Sequence, residues 1–191
     1  MPTATVLRGS AARARRFWEY EKDRLYVGIG KTSEWEGQTY SGPHPINDDR
    51  PPIPHTTETN IIEAIGYKRV LSQNVYLCKR DEDIDIEEGN AIFHGGKKYR
   101  IIPYDDAVDK VARWLYLFVW LDPGDFNGYE GEYRQAGLFS RLEKMEDIPE
   151  DKHDLIPEEV KDVGILEVLS NRVPEHIGGE VSRAVSFMIE F

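Results

Sequence analysis

The chain is poor in the residues on which most site chemistry depends. It holds one cysteine, Cys78, in 191 residues, so no intrachain disulfide can form. Cys78 ends the apolar run Val75-Tyr76-Leu77-Cys78, the setting of a buried, inert thiol. A reactive thiol needs an electropositive niche, and no histidine stands at a spacing that would pair with it. The five histidines, His44, His55, His94, His153 and His176, are scattered. None forms H-x-x-x-H, and none lies near Cys78 at metal-ligand spacing. There is no run of eighteen apolar residues, so no transmembrane helix is expected. The first residues lack the apolar core of a secretory leader. Positive charge is scarce: 24 Lys and Arg stand against 35 Asp and Glu, a net charge of −11. A chain whose main task is gripping nucleic acid would carry a basic footprint.

Carboxylates are plentiful, as in Asp48-Asp49, Asp105-Asp106 and Asp81 to Asp85, but abundance does not show the paired geometry of a glycoside hydrolase. Asp105-Asp106 reads better as the start of a helix, at the positive end of its dipole. The sequence therefore assigns no catalytic residue, no cofactor and no metal, and the chain reads as a non-enzyme.

What is present is a core-forming fraction, 40% hydrophobic, and one stretch around which the rest is arranged. Leu25, Val27 and Ile29 alternate with Tyr26, Gly28 and Gly30, the period of a half-buried strand. Gly28-Ile29-Gly30-Lys31-Thr32 resembles the tail of a phosphate-binding loop, G-x-x-x-x-G-K-[ST]. Position 25, where the first glycine must stand, is leucine, and no helix-forming run follows Thr32. The better reading is that Gly28 and Gly30 let another backbone or an aromatic ring approach closely. A long loop follows, with Trp35 before it and Pro51, Pro52 and Pro54 at its end. Prolines fix their own φ and bias the preceding residue toward extended backbone, which suits an arm laid along another surface.

Elsewhere, Ser10 to Lys22 reads as a helix capped by Ser10, with Phe17, Trp18 and Tyr20 forming an aromatic patch. These rings are expected to pack on the sheet begun by Leu25 or on a partner chain. Thr57 or Thr59 is expected to cap a short helix, Glu58 to Ile65, closed by Gly66. Tyr67 to Lys79 is one or two strands. Ala91 to Phe93 and Lys98 to Ile102 form a hairpin around Gly95-Gly96. A helix is expected from Asp105 or Asp106 to about Trp114. Trp114 to Leu121 is the most apolar run, a buried strand or the end of a buried helix, with Trp114 and Trp120 in the core. Tyr133 to Leu142 is strand-like. Glu143 to Asp162 is acidic and proline-punctuated, an exposed loop with a short helix after Pro157. Val185 to Phe191 ends the chain as a strand that docks into a sheet, its own or a neighbour's.

The strand Tyr26-Val27-Gly28-Ile29-Gly30-Lys31, the polar turn ending in Trp35, the loop Asp48-Asp49-Arg50-Pro51-Pro52-Ile53-Pro54 and the lead into Gly66-Tyr67-Lys68-Arg69-Val70 together resemble the baseplate wedge proteins of contractile-tailed bacteriophages. Asn74-Val75-Tyr76, Gly164 to Pro174 and Phe187 to Phe191 are similar to later parts of that family. The resemblance implies a structural virion protein that meets other tail and baseplate proteins, multi-copy in a symmetric assembly. It implies location in the tail baseplate, and in the host cytoplasm during assembly. Neither nucleic acid nor membrane is expected as a partner.

The fold class expected is α+β, a strand-rich compact domain with a helical N-terminus and long extended loops or arms. Residues 1–23 are read as the helical segment and 24–191 as a mainly β domain. That domain carries a proline-rich arm (35–57) and an acidic loop (143–162). Residues up to Arg24 are net basic and the acidic runs lie later, a split suited to pairing with neighbours, although either run alone is equally well a solvated face. The residues expected to bind partners are Trp35, Tyr40, Ile46, Arg50, Pro51, Pro52 and Ile53, with Phe17 and Trp18 on the N-terminal helix. Trp35 is expected to be an exposed anchor. The alternatives are another tail, neck or connector protein, or a tail-borne carbohydrate-binding module or cell-wall hydrolase.

Overall fold

A computed structural model describes residues 6–35, 50–80 and 90–191. It is a strand-rich α+β protein. In chain order the elements are helix α1 (Leu7–Glu21) and strands β1 (Leu25–Gly30), β2 (Gly66–Arg69), β3 (Val75–Arg80), β4 (Ala91–His94), β5 (Lys97–Ile101), β6 (Trp114–Leu121), β7 (Gly131–Ser140), β8 (Glu143–Lys144), β9 (Asp154–Leu155), β10 (Val160–Asp162), β11 (Ile165–Ile177) and β12 (Arg183–Glu190). The chain divides into two compact units. One takes in the described residues of Met1–Asp23, Leu71–Phe118 and Ser186–Phe191; the other takes in those of Arg24–Val70 and Val119–Val185.

The second unit is built on an antiparallel sheet in the order β11-β7-β1-β2-β9. All six residues of β1 are buried, so the strand is covered on both faces rather than half-buried as its alternation implies. The glycines explain the second covering. A Cβ on Gly28 would lie 2.8 Å from both the Phe139 and the Tyr67 rings, which meet edge to face above it with centroids 5.3 Å apart. A Cβ on Gly30 would lie 2.5 Å from the carbonyl oxygen of Ile62. Ring and backbone thus both make the close approach expected of this strand. Tyr26, Ile61, Tyr67, Phe139 and Leu155 form the core on that face.

No helix forms over Glu58 to Ile65. The segment is turns and extended chain, and Gly66 opens β2 instead of closing a helix. A helix of eight residues has little stability of its own. Here its backbone groups find partners elsewhere: Ile65 N–H donates to Ile29 at 2.9 Å, and Ile62 N–H to the Gln135 side chain at 2.7 Å. Residues 143–162 are not a plain loop either. They hold β8 and β10, which pair with each other, and β9, which pairs with β2; the helix after Pro157 is one 3-10 turn, Pro157–Glu159. Asp125–Gly128 is a single left-handed turn, with φ of +53° at Phe126 and +60° at Asn127. Such backbone costs about 1–2 kcal/mol per non-glycine residue. The buried Phe126 ring offsets it by filling the notch at Gly66, where a Cβ would come within 2.2 Å of the ring.

The first unit carries a sheet in the order β12-β6-β3-β5-β4, to which β6 and β12 give their greater parts. α1 begins at Leu7, one turn before the expected Ser10 cap, and Ser10 is buried inside it. Ala11, Ala14 and Glu21 complete its buried stripe at helical spacing. Its aromatics pack within this unit. Trp18 donates its indole N–H to the Val75 carbonyl at 3.0 Å and lies against Tyr104, while Phe17 meets Phe191 at 5.3 Å. The C-terminal residues therefore dock in the protein's own sheet, where Phe191 N–H donates to the Arg113 carbonyl. The apolar run 114–121 is the strand β6. Its alternation buries Leu115 and Leu117 but leaves Trp120 51% exposed, so Trp120 is not core. The helix expected from Asp105 is one 3-10 turn, Tyr104–Asp106, beginning after Pro103. The β4–β5 hairpin turns on Gly95 and Gly96, both at positive φ. Cys78 is fully buried in β3, and burial pushes its thiol up to about 12.

Candidate functional site

The segment after β1 is held by a polar cluster within the second unit. Lys31 leaves the strand at φ +59°, and its N–H donates to the Ile62 carbonyl. Its ammonium turns inward, to Ser33 Oγ, to the Glu34 carbonyl at 3.1 Å and to Glu63 at 3.8 Å. That use of the lysine is internal and bears no likeness to a phosphate cradle. The Glu63 carboxylate accepts from Thr32 Oγ1 and Ser33 N–H at 2.8 Å each and from Ser33 Oγ at 2.6 Å. Hydrogen bonds to the charged form favour it; those from the Ser33 hydroxyl and N–H, then from Thr32, lower the group to about 2. Arg134, 4% exposed, donates to the Thr32 carbonyl at 2.7 Å and pairs with Glu132.

Fixed in this way, Trp35 points into the protein. It is 9% exposed, its ring stands 5.4 Å from the Lys31 ammonium, and its indole N–H donates to the Arg172 carbonyl at 3.0 Å. The expectation of an exposed Trp35 anchor is corrected: a Trp beside a strand whose carbonyl accepts its indole N–H gains more by burying its ring and satisfying that N–H than by facing water.

The far end of the proline-rich segment comes to the same place. Pro52, which has no N–H to offer, presents its carbonyl to the Asn171 side-chain amide at 2.8 Å. Asn171 in turn accepts from Gln135 at 2.8 Å, its directly paired residue on β7. Gln135, 2% exposed, accepts from Ile62 N–H. Just beyond Asn171 the β11–β7 register shifts. There Glu175 accepts from the Tyr133 hydroxyl at 2.6 Å and from Arg172 at 3.2 Å. Burial first, and then the Glu175 carboxylate, push the Tyr133 phenol well above its ordinary range. Adjacent residues of one strand, Asn171 and Arg172, thus hold the two sides of the segment.

Between the two sides lies a groove of about 550 Å³, walled by Trp35, Pro52, Ile53, His55, Leu169 and Asn171 among others. Ile53, at 85% exposed, is its most accessible apolar residue. Arg50 is exposed, and Pro51 and Pro52 are half-buried. Tyr40 and Ile46 lie outside the described residues. Phe17 and Trp18 are half-buried in the first unit. Sequence reasoning passed over Gln135, Asn171, Arg172 and Glu63. The available signal was Gln135 itself, a polar side chain inside the apolar alternation of β7, which needs a partner when buried. Among the described residues no three His, Cys, Asp or Glu side chains gather as ligands for a metal ion. None of the described helices is long and apolar enough to cross a membrane.

Comparison with known proteins bears on this arrangement. The model of the family described as baseplate wedge 3 tail fiber network component matches residues 1–191. Virion protein 3 of Enterococcus phage phiEF24C is 30% identical over 172 residues, which are 88% of this chain and 84% of that protein. The expected resemblance to baseplate wedge proteins is therefore borne out, and a structural role in a phage tail, in association with other tail proteins, follows from it. The chain belongs to the family of baseplate wedge 3 tail fiber network components.

Proposed function

We propose that this chain joins neighbouring subunits of the baseplate wedge of a contractile tail through its proline-rich segment, residues 35–57. The observation that carries the reading is the double attachment on β11, Trp35 on Arg172 and Pro52 on Asn171. With Trp35 and Pro52 both held on one strand, less ordering entropy is lost when the residues beside them meet a partner. The most exposed apolar residue of the segment is Ile53, and Arg50 is exposed as well. In such a role the chain is multi-copy, assembles in the host cytoplasm, and works by interface switching, in which arms hold neighbours in one arrangement until a trigger shifts them to another.

The test is recovery of a tagged chain from producing cells, with Ile53→Asp as the variant. Stoichiometric recovery with tail and baseplate proteins is expected. Ile53→Asp is expected to keep the melting temperature of the purified chain and to block its incorporation into particles. Recovery as a lone chain with activity on a glycan would overturn the reading, and so would normal assembly and infection by Ile53→Asp particles.

A further inference from the structure

We propose that the slot between the outer edge of β11 and residues 54–58 receives an extended, Lys- or Arg-bearing segment of another tail protein, laid alongside β11 as an added strand. The inference rests on the structural role proposed above and names the kind of partner that β11 takes.

β11 is the terminal strand of its sheet, with β7 on one side. Along its other side, alternate N–H and C=O groups point away from every strand of that sheet, the template on which an incoming strand pairs. Val168 to Asn171 pair with Leu138 to Gln135 without a shift, between two irregular stretches, so the regular template is short and defined. Opposite this edge, Pro54, His55, Thr56 and Glu58 form a second wall, and the slot between the walls encloses about 400 Å³. It shares Pro54, His55, Glu58 and Leu169 with the groove beside Trp35. The wall and the edge are not zipped together by backbone pairing among the described strands.

The charge of the rim selects the occupant. Glu34, Glu58 and Glu167 are exposed around groove and slot, and one oxygen of Glu167 accepts from Ser140 Oγ at 2.6 Å. Lys31, the Lys or Arg side chain lining the groove among the described residues, has its ammonium turned to Ser33, the Glu34 carbonyl and Glu63, and His55 is bonded to Thr57. Beside these carboxylates the lining includes the apolar side chains of Pro54, Leu166, Val168 and Leu169. Apolar side chains and exposed carboxylates along one slot together fit an extended chain that alternates apolar with basic side chains, the arrangement in which complementary charge sets register and partner choice.

The experiment places a photo-reactive p-benzoylphenylalanine at Thr56, exposed on the slot wall, during phage growth. Assembled particles are irradiated and the adducts mapped by mass spectrometry. The expected result is an adduct to another virion protein, within a segment containing Lys or Arg among apolar residues. The double variant Glu58→Lys, Glu167→Lys is expected to lower its yield by about tenfold or more, because like charges facing each other across an interface are strongly unfavourable. Reversal of the exposed pair Glu146 and Asp147 is expected to leave the yield unchanged. The melting temperature of the purified double variant separates misfolding from lost docking; if it falls, Glu58→Gln with Glu167→Gln takes its place. Adducts to residues 36–49 of the same chain, to a second copy, or to a segment without basic residues would overturn the inference. If the particles contain the chain but Thr56 cross-links to nothing, the slot is wrong and the structural role stands. If the particles lack the chain, the role itself fails and the inference with it.

Discussion

The indole N–H of Trp35 donates to the carbonyl of Arg172, 137 positions later in the chain, at 3.0 Å. One residue earlier on β11, Asn171 holds the carbonyl of Pro52 at 2.8 Å. Trp35 and Pro52 are thus both tied to neighbouring residues of one strand, in a sheet whose central strand is wholly buried.

Replacing Trp35 separates the ring from its hydrogen bond. Trp35→Phe keeps most of the apolar area and removes the donor, and is expected to destabilise the chain by about 1–2 kcal/mol. Trp35→Ala removes both and is expected to cost about 3–5 kcal/mol. Denaturant unfolding of the purified chain measures each. Equal, near-zero losses for the two variants would show that Trp35 holds nothing.

Gly28 tolerates no side chain without movement of two rings. Gly28→Ala sets a methyl 2.8 Å from both Phe139 and Tyr67, and overpacking of this kind is expected to cost about 1–3 kcal/mol. Gly30→Ala meets the Ile62 carbonyl at 2.5 Å, which backbone and not a side chain must yield. It is expected to lower the melting temperature at least as far as Gly28→Ala does. A thermal melt of the two variants decides.

The Glu63 carboxylate sits at about 2 in the folded protein, below its ordinary 4.5. Its folded value is depressed, so its contribution to stability is fully present above about pH 4.5 and is lost as pH falls through about 2. Its side chain is 39% exposed, so solvent screens much of that contribution. Glu63→Gln is expected to flatten the fall in stability between pH 4.5 and 2 and to loosen the loop that carries Trp35. Tryptophan fluorescence followed across that range reads both effects. An unchanged acid limb in the variant would remove Glu63 from the account.

Cys78 should be inert in the native protein. Burial raises its thiol to about 12, so thiolate is scarce at neutral pH and the group is out of reach of reagents. A thiol reagent at pH 8 is expected to label it only after denaturation. Rapid labelling of the native chain would mean that β3 opens readily.

Local signals were enough wherever the partner of a residue was near in sequence or its type left no choice. The β4–β5 hairpin follows from Gly95-Gly96, and the buried thiol from its apolar strand. The close approaches at Gly28 and Gly30 follow from glycine inside a strand. Readings that extended a local pattern without its tertiary partners failed. Ile61, Ile62 and Ile65 look like a helix face, but Ile29 and Gln135 take the backbone groups that a helix would have used. Asp105-Asp106 looks like a helix start, yet the chain makes one 3-10 turn there and reaches positive φ at Val111. Trp120 shares the apolar run with Leu115 and Leu117 but falls on the opposite face of the strand. Trp35 looks like a loop aromatic because its acceptor lies far along the chain.

By itself the sequence determined the strand-rich character, the helical start and the resemblance to baseplate wedge proteins. These depend on backbone preference, periodicity and short motifs, which are properties of neighbouring residues. Only the tertiary structure decided that Trp35 is buried, that Asn171 and Arg172 hold both sides of the proline-rich segment, and that β11 ends its sheet beside an acidic-rimmed slot. Those outcomes come from pairing residues more than a hundred positions apart. Such pairing is governed by which buried polar groups can be satisfied together, and no local preference encodes that.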